Sequence, residues 1–352
     1  MNPPTVCISG SLIGPEQTPF IVAEISGNHN QSLERALGIV DAAAKAGVHA
    51  LKLQTYTADT MTLDIDEDEF LISDPDSLWK NMSLYELYQQ AYTPWEWHKP
   101  IMERCKDLGI ICFSAPFDLT AVEFLESLDV PAYKIASFEN IDLPLISKIA
   151  QTGKPIIIST GMATLSELDE AVRCARDSGC KDLILLKCTS SYPATPNESN
   201  ILAIPHLSRL FNCPVGISDH TLGIGVSLAA ITIGAAVVEK HFTIRRGEGG
   251  VDAAFSMEPD EMKMLVEESV RVTSSLGQIQ YGPTKSEENS KRFRRSLYAT
   301  EDIEKNEIFT KNNLRIIRPG FGLPPKFYEI VLGRKSSQDI KKGTPINWKS
   351  IQ

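Results

Sequence analysis

The sequence lacks any hydrophobic run long enough to span a membrane. Its longest weakly polar stretch, residues 223–238, is short and rich in Gly, Ala and Thr. The first 20 residues contain no basic segment followed by an apolar one, so we expect no secretory signal. The seven cysteines are odd in number and form no CxxC pair, which indicates reduced cytosolic thiols. These absences together predict a cytoplasmic protein.

The sequence also has fewer positively than negatively charged residues. The 35 Lys and Arg residues are outnumbered by 45 Asp and Glu residues, which gives a formal net charge of −10. This balance disfavours nucleic acid and anionic membranes as partners, and we predict neither. One local basic cluster interrupts the pattern, and we interpret it as a solvated linker face. The cluster consists of Lys291, Arg292, Arg294 and Arg295.

Short apolar segments alternate with helical patterns between residues 20 and 242. Eight such units predict an α/β fold, a (β/α)8 TIM barrel, with a doubly wound open sheet as the structural alternative. A capping-box pair, Thr164 and Glu167, marks the start of the helix after the fifth strand. The eight strands are predicted at 20–25, 49–54, 110–114, 132–136, 155–160, 183–188, 214–218 and 236–242.

The composition changes near residue 281, where the chain becomes polar and rich in helix breakers. We therefore predict a barrel domain at 1–280, a linker at 281–290 and a small β-rich domain at 291–352. A faint repeat relates residues 302–314 to residues 339–351, which indicates a pseudo-symmetric β fold.

Two of the six histidines, His220 and His241, stand at the ends of neighbouring predicted strands. Parallel strands joined by a helix end side by side, so both imidazoles should meet at the barrel mouth. We predict that they share a divalent cation, with Asp219 and Glu239 as orienting groups and with water and substrate completing the shell. The alternative is a pair of hydrogen-bonded structural histidines.

Lysines also stand at the predicted strand ends, at Lys52, Lys134 and Lys187. Neighbouring hydroxyl side chains favour binding of a phosphate or carboxylate. A Schiff-base aldolase that uses Lys134 or Lys187 is the alternative. Glu24 ends the first strand and could serve as a general acid or base, or as the ionic partner of Lys52.

Two further features lie outside the strand ends. The connection at residues 57–93 is long for a barrel, which indicates a functional or partner-facing segment. Arg318 precedes a proline in a glycine-rich turn that would present it to a partner site.

The motifs, taken together, are similar to those of the phosphoenolpyruvate-dependent nonulosonic acid synthases, which make sialic acid and its bacterial relatives. The resemblance spans nearly the whole chain, and the small domain resembles the family's antifreeze-like (SAF, β-clip) domain. It rests on AEISGNHN (23–30), LKLQTY (51–56), FSAPFD (113–118), AYKIAS (132–137), STGMAT (159–164), GISDHT (216–221), EKHF (239–242), VDAAFSM (251–257) and RPGFG (318–322).

Within this family the chain most resembles the branch that makes pseudaminic acid. The stretches YTPWEWH (92–98), KCTSSYP (187–193), RRSLYA (294–299) and RPGFGLPPKFY (318–328) carry this likeness. Ser190 stands where sialic acid synthases tend to have asparagine, which argues against N-acetylmannosamine as the substrate. Ala115 stands where relatives often carry a hydroxyl near phosphoenolpyruvate.

The resemblance implies a transferase that condenses phosphoenolpyruvate with an amino-sugar aldose, 2,4-diacetamido-2,4,6-trideoxy-L-altrose, to give pseudaminic acid and phosphate. Legionaminic or N-acetylneuraminic acid synthesis from the mannose-type precursor is the alternative. A non-catalytic sugar-binding protein is a third hypothesis. The implied partner arrangement is a domain-swapped homodimer in which the C-terminal domain caps the other subunit's barrel.

The resemblance also implies roles for individual residues. A divalent cation (Mn²⁺, Mg²⁺ or Co²⁺) at His220 and His241 would activate the sugar aldehyde, and Glu24 would position or deprotonate water. The residues implied for phosphoenolpyruvate are Lys52, Lys134, Ser137, Ser159 and Ser218. The residues implied for the sugar are Gln54, Tyr192, Asp252 and Arg318.

Overall fold

Eight short, mostly apolar strands pair in parallel and in chain order until the last strand meets the first. The predicted TIM barrel is therefore confirmed in the computed structural model, which describes residues 3–75 and 77–352. The barrel strands are β3 (Phe20–Glu24), β4 (Ala50–Thr55), β5 (Ile111–Pro116), β6 (Tyr133–Ile135), β7 (Ile156–Ser159), β8 (Leu183–Cys188), β9 (Val215–Ser218) and β10 (Val237–His241).

A hairpin that the sequence did not predict precedes the barrel. Its strands β1 (Val6–Ile8) and β2 (Ser11–Ile13) pair antiparallel. Val6, Ile8 and Ile13 are buried in one cluster with Phe20 and Val237, which begin barrel strands. The hairpin therefore closes the amino end of the barrel and leaves only the carboxyl end open for a site.

Helices cover the outside of the barrel, and their buried faces form its larger apolar core. The predicted capping box is present, since the Glu167 amide donates to Thr164 Oγ1 (3.3 Å) and the Thr164 amide donates to the Glu167 carboxylate (2.7 Å). The first unit contains α1 (Leu33–Ala46), α2 (Ala58–Met61), α3 (Leu84–Ala91), α4 (Trp95–Asp107), α5 (Leu119–Ser127), α6 (Leu143–Ala150), α7 (Leu165–Asp177), α8 (Ala203–Phe211), α9 (Gly225–Thr232) and α10 (Pro259–Leu276). Within the described residues, no helix combines the length and apolarity needed to cross a bilayer.

The chain divides into two compact units, Met1–Gly277 and Gln278–Gln352. The second unit contains the antiparallel strands β11 (Ser296–Ala299) and β12 (Leu314–Ile317) and the short helix α11 (Tyr328–Val331). A 3-10 helix, Lys285–Phe293, occupies most of the stretch that the sequence predicts as a linker.

The predicted internal repeat of the second unit is visible in its backbone pairing. Ile303 and Ile340, which are equivalent positions of the two copies, exchange two hydrogen bonds of 2.8 Å. The Asp302 carboxylate accepts from the Lys342 amide, and the equivalent Asp339 carboxylate accepts from the Lys305 amide, both at 2.8 Å. The two copies are therefore related by an approximate two-fold axis.

Alternation along β10 separates two kinds of polar residue. Val237 lies in the inner core and Val238 in the outer one, so Glu239 and His241 point inward while Lys240 points toward the helices. Lys240 is 1% exposed, and its ammonium lies 3.0 Å from the Asp219 carboxylate. Asp219 is therefore paired with Lys240 in the outer layer, whereas the sequence predicts Asp219 as an orienting group beside the histidines.

The buried Asp219–Lys240 pair should be a large contributor to stability. Removing one partner leaves a buried charge uncompensated, so Asp219→Ala should lower the free energy of unfolding by about 3–5 kcal/mol. Thermal unfolding followed by circular dichroism measures the effect. Glu123→Ala is the control, because Glu123 and Lys148 form an exposed pair (3.2 Å) whose loss should cost less than about 1 kcal/mol. Equal losses in the two variants would contradict this assignment.

Candidate active site

A buried carboxylate, Glu239, lies at the centre of the carboxyl end of the barrel. Its Oε1 accepts from the ammonium of Lys52 (2.9 Å) and from the hydroxyl of Ser218 (3.1 Å). The ammonium of Lys134 lies 3.6 Å from the same oxygen. Burial alone would raise the pKa of Glu239, but Lys134 and Lys52 outweigh it and hold this pKa below its usual range. One anion therefore holds two lysines that are no more than 4% exposed.

Glu24 is a second acid in this cluster. Its Oε2 lies 2.8 Å from the Lys52 ammonium, and its Oε1 accepts from the Ser26 amide at 3.0 Å. Glu24 is thus the ionic partner of Lys52, one of the two roles that the sequence left open. Burial lowers the pKa of Lys52 to about 8, although the negative charge of Glu239 acts to raise it.

The loop after β7 brings hydroxyl groups close to Lys134. The Lys134 ammonium donates to Ser159 Oγ at 2.7 Å. Gly161 approaches so closely that an added Cβ would lie 2.2 Å from Ser190 Oγ and 2.6 Å from Ser137 Oγ. A side chain at this position would displace the hydroxyls of Ser137 and Ser190, so glycine lets these two residues pack against the loop after β7.

The two histidines meet as predicted, with ring centroids 5.3 Å apart. His220 Nδ1 donates to the Thr189 carbonyl at 2.9 Å, so Nε2 is the ring nitrogen that would bind a metal ion. His241 Nδ1 is buried without a hydrogen-bond partner, 3.6 Å from a carboxylate oxygen of Asp252. Burial, with the positive charges of His220 and Lys52, holds the pKa of His241 well below its usual range.

His241, with an unpaired, buried nitrogen and a pKa well below its usual range, fits a divalent cation together with the neighbouring His220 ring. In the part of the chain that the structure describes, no group of three or more His, Cys, Asp or Glu side chains is arranged to hold a metal ion. His220 and His241 would therefore supply two ligands, and oxygen atoms of water and substrate would have to complete the shell.

A cavity of about 620 Å³ opens above the cluster. Three residues predicted to contact the sugar, Gln54, Tyr192 and Asp252, line it together with Ser137 and His241. The Tyr192 ring packs 4.5 Å from the His220 ring, which joins the sugar side of the cavity to the histidine pair. Five of the predicted barrel residues thus line one space.

Some strand-end residues do not join this space. Lys187 lies next to the inward-facing Cys188, and its ammonium donates to the Cys188 carbonyl (2.9 Å) and to a threonine hydroxyl (3.3 Å). Ser114 bonds Thr55 (2.6 Å) on the helix side of the barrel. Arg318 is exposed and belongs to the second unit, so its role toward the barrel stays a prediction.

Glu139 is a site residue that sequence reasoning missed. It lines the cavity in the 3-10 turn Ser137–Glu139, two residues after a predicted ligand residue. Burial raises its pKa to about 7, against the opposing effect of Lys134. The signal in the sequence was its position just after a strand with an inward lysine.

The chain is similar to known proteins over nearly its whole length. The NeuB family model matches residues 39–281, and the SAF domain model matches residues 294–352. The pseudaminic acid synthase of Campylobacter jejuni is 44% identical over 333 residues, which cover 95% of this chain and 96% of that protein. The N,N'-diacetyllegionaminic acid synthase of the same organism is 36% identical over 327 residues, covering 92% and 97%.

A solved structure is similar over the greater part of the chain. It is the N-acetylneuraminic acid synthetase of Leptospira borgpetersenii, crystallised with citrate. The TM-score is 0.73 and the identity 31%, and the match covers 82% of this chain and 95% of that protein. The chain therefore has relatives among enzymes of sugar acid synthesis.

The raised pKa of Glu139 predicts a pH-dependent stability. The folded pKa is about 7 against 4.5 for the free side chain, so this stabilising contribution is fully present below about pH 4.5 and is lost as pH rises through about 7. The Glu139→Gln variant should therefore gain stability relative to the wild type between pH 5 and pH 8, by up to about 3 kcal/mol. Unfolding midpoints measured across this range test the prediction, and a constant difference would contradict it.

Proposed function

Because the chain belongs to the NeuB family, we propose that it is a transferase that condenses phosphoenolpyruvate with 2,4-diacetamido-2,4,6-trideoxy-L-altrose to give pseudaminic acid and phosphate. The family resemblance seen in the motifs is confirmed by the matched barrel and SAF domains. Higher identity to a pseudaminic acid synthase (44%) than to a legionaminic acid synthase (36%) supports the altrose-type precursor.

One observation carries the reaction class: two buried lysines, held by two acids, lie beside a pair of histidines under an open cavity. Phosphoenolpyruvate brings a carboxylate and a phosphate into this space. Lys52 and Lys134 would neutralise these groups, with hydroxyls as further donors. The proposed donors are Ser137, Ser159 and Ser218. Lys134 is less suited to a Schiff base, because its ammonium donates to Ser159 Oγ and lies 3.6 Å from the Glu239 carboxylate.

The histidines would hold a divalent cation, for which we propose Mn²⁺, Mg²⁺ or Co²⁺. When bound there, it supplies Lewis acidity toward the aldehyde oxygen. His220 is fixed for this role by the Thr189 carbonyl. Asp252 lies near His241 and accepts a hydrogen bond from Ser26, so it is positioned to orient both the ring and a sugar hydroxyl.

The reaction makes one C–C bond and breaks one C–O bond. The methylene carbon of phosphoenolpyruvate attacks the aldehyde carbon, and positive charge develops at the carbon that bears the phosphate. Water adds to that carbon, and phosphate leaves with the electron pair of the C–O bond. The two protons of the water end on the new hydroxyl group and on the phosphate, so the site must move protons.

Two carboxyl groups are placed for these proton transfers. Glu24 is fully buried with its carboxylate 2.8 Å from the Lys52 ammonium, and it would stabilise the developing positive charge or accept a proton from water. Glu139, with a pKa of about 7, can both give and accept a proton near neutral pH. We therefore assign electrostatic stabilisation to Glu24 and proton transfer to Glu139.

The rim of the barrel mouth supports the proposed homodimer. Large apolar side chains that follow β6, β7 and β9 are exposed, which marks a surface that another protein covers. The partner subunit's C-terminal domain would cover this rim and bring its arginine at position 318 to the sugar. Light scattering that gives only a monomer would overturn the arrangement. The exposed residues are Phe138 (58%), Ile141 (61%), Met162 (61%), Leu165 (53%) and Leu222 (62%).

The proposed reaction predicts a three-component requirement. Phosphate should be released only when phosphoenolpyruvate, the trideoxy sugar and a divalent cation are all present, and mass spectrometry should find the nine-carbon acid. His220→Ala should lower kcat by about 100-fold or more, because the aldehyde loses polarisation in the transition state. Full activity of His220→Ala in the presence of a chelator would show that the histidine pair has another role. A lysine adduct trapped with borohydride would favour the aldolase alternative.

A further inference from the structure

The long connection at residues 57–93 folds against the barrel mouth. Within it, the backbone at Ile72 pairs with the backbone at residues 81–82. The Ile72 amide donates to the Met82 carbonyl and the Ile72 carbonyl accepts from the Asn81 amide, both at 2.9 Å. The indole of Trp79 donates to the Val251 carbonyl at 2.9 Å, which ties the connection to the loop after β10. These contacts fix one side of the connection over the cavity.

The connection gives the cavity a mostly apolar side. Five of its side chains line the space, are half-buried and share an apolar surface; we call them the apolar wall. The connection also contributes Asp74 and Ser77 to the lining. The apolar wall consists of Met61, Ile72, Trp79, Leu84 and Tyr88.

Apart from Asp74 and Ser77, most of the polar lining lies on the floor formed by the strand ends. Gln54 comes from β4, Glu139 follows β6, and His241 ends β10. A sugar whose aldehyde reaches the histidines at the floor must direct its far carbons, C4 to C6, away from the floor. The apolar wall is the side of the cavity that can meet them.

From this arrangement we infer that the apolar wall selects sugars whose far end carries methyl and acetamido groups. This inference rests on the proposed function and extends it to the class of sugar. A 2,4-diacetamido-2,4,6-trideoxy hexose presents a C6 methyl and the methyl of the C4 acetamido group to the wall. N-acetylmannosamine presents hydroxyl groups at both positions, which would lose water against the carbon atoms of the apolar wall.

The expected selectivity is moderate. A methyl group in an apolar pocket contributes about 10–200-fold in kcat/KM, and such a pocket disfavours an added hydroxyl by about 100-fold at most. The apolar wall recognises substituents and not ring stereochemistry. The altrose-type and mannose-type trideoxy sugars should therefore both interact with it, and the floor must separate them.

Two variants that place a polar group in the apolar wall, Met61→Gln and Ile72→Thr, test the inference in the full-length enzyme. Each should raise KM for the trideoxy sugar by about 10-fold. The KM for phosphoenolpyruvate and kcat should not change, and the preference over N-acetylmannosamine should fall by the same factor. Phosphate release gives the kinetics, and calorimetry gives sugar binding without turnover. Leu63→Ser is the matched control, because Leu63 lies in the same connection, is 59% exposed and does not line the cavity.

Each outcome separates the hypotheses. Unchanged sugar KM in both variants, or an equal rise for both sugars and phosphoenolpyruvate, would overturn the role of the apolar wall. A wild-type enzyme that uses N-acetylmannosamine as well as the trideoxy sugar would overturn it too. A wild type that releases no phosphate with any sugar would instead refute the proposed function, and that failure is visible before any variant is compared.

Discussion

The carboxylate of Glu239 is the interaction on which the site depends. It lies inside the barrel with two lysine ammonium groups within 3.6 Å. Without it, Lys134 would lose its carboxylate partner and Lys52 would keep Glu24, which leaves a buried charge uncompensated. With it, each ammonium has an anionic partner in a place that water barely reaches. A ligand that carries both a carboxylate and a phosphate can then exploit a cationic site prepared in the folded enzyme.

Strand alternation decides which polar residues reach this site. In β10, Glu239 and His241 face inward, while Lys240 between them pairs with Asp219 toward the helices. The same rule turns Lys187 outward beside Cys188. Polar residues at strand ends thus divide into a chemical set inside the barrel and a structural set outside it, although both sets look alike as sequence.

The sequence was sufficient to predict the strand order, the meeting of the two histidines and most of the inward residues, because apolar periodicity and strand-end position are local signals. It could not give the hairpin β1–β2, whose strands of three residues become stable only by closing the barrel end. The sequence did not predict Glu139 as a site residue for a similar reason, since its pKa depends on burial beside residues distant in the chain. The length of the connection at residues 57–93 predicts a functional or partner-facing segment, but its apolar side appears only when it folds over the mouth.

The central claim is that Lys134, inside the barrel, binds the anion, whereas Lys187, outside it, does not. Calorimetric titration of phosphoenolpyruvate into Lys134→Met and Lys187→Met variants tests this most directly, with thermal unfolding to verify that both are folded. The account predicts that Lys134→Met weakens binding by about 100-fold or more, because a buried charge partner is lost, while Lys187→Met binds as the wild type does. Equal effects of the two substitutions, or wild-type binding by Lys134→Met, would contradict it.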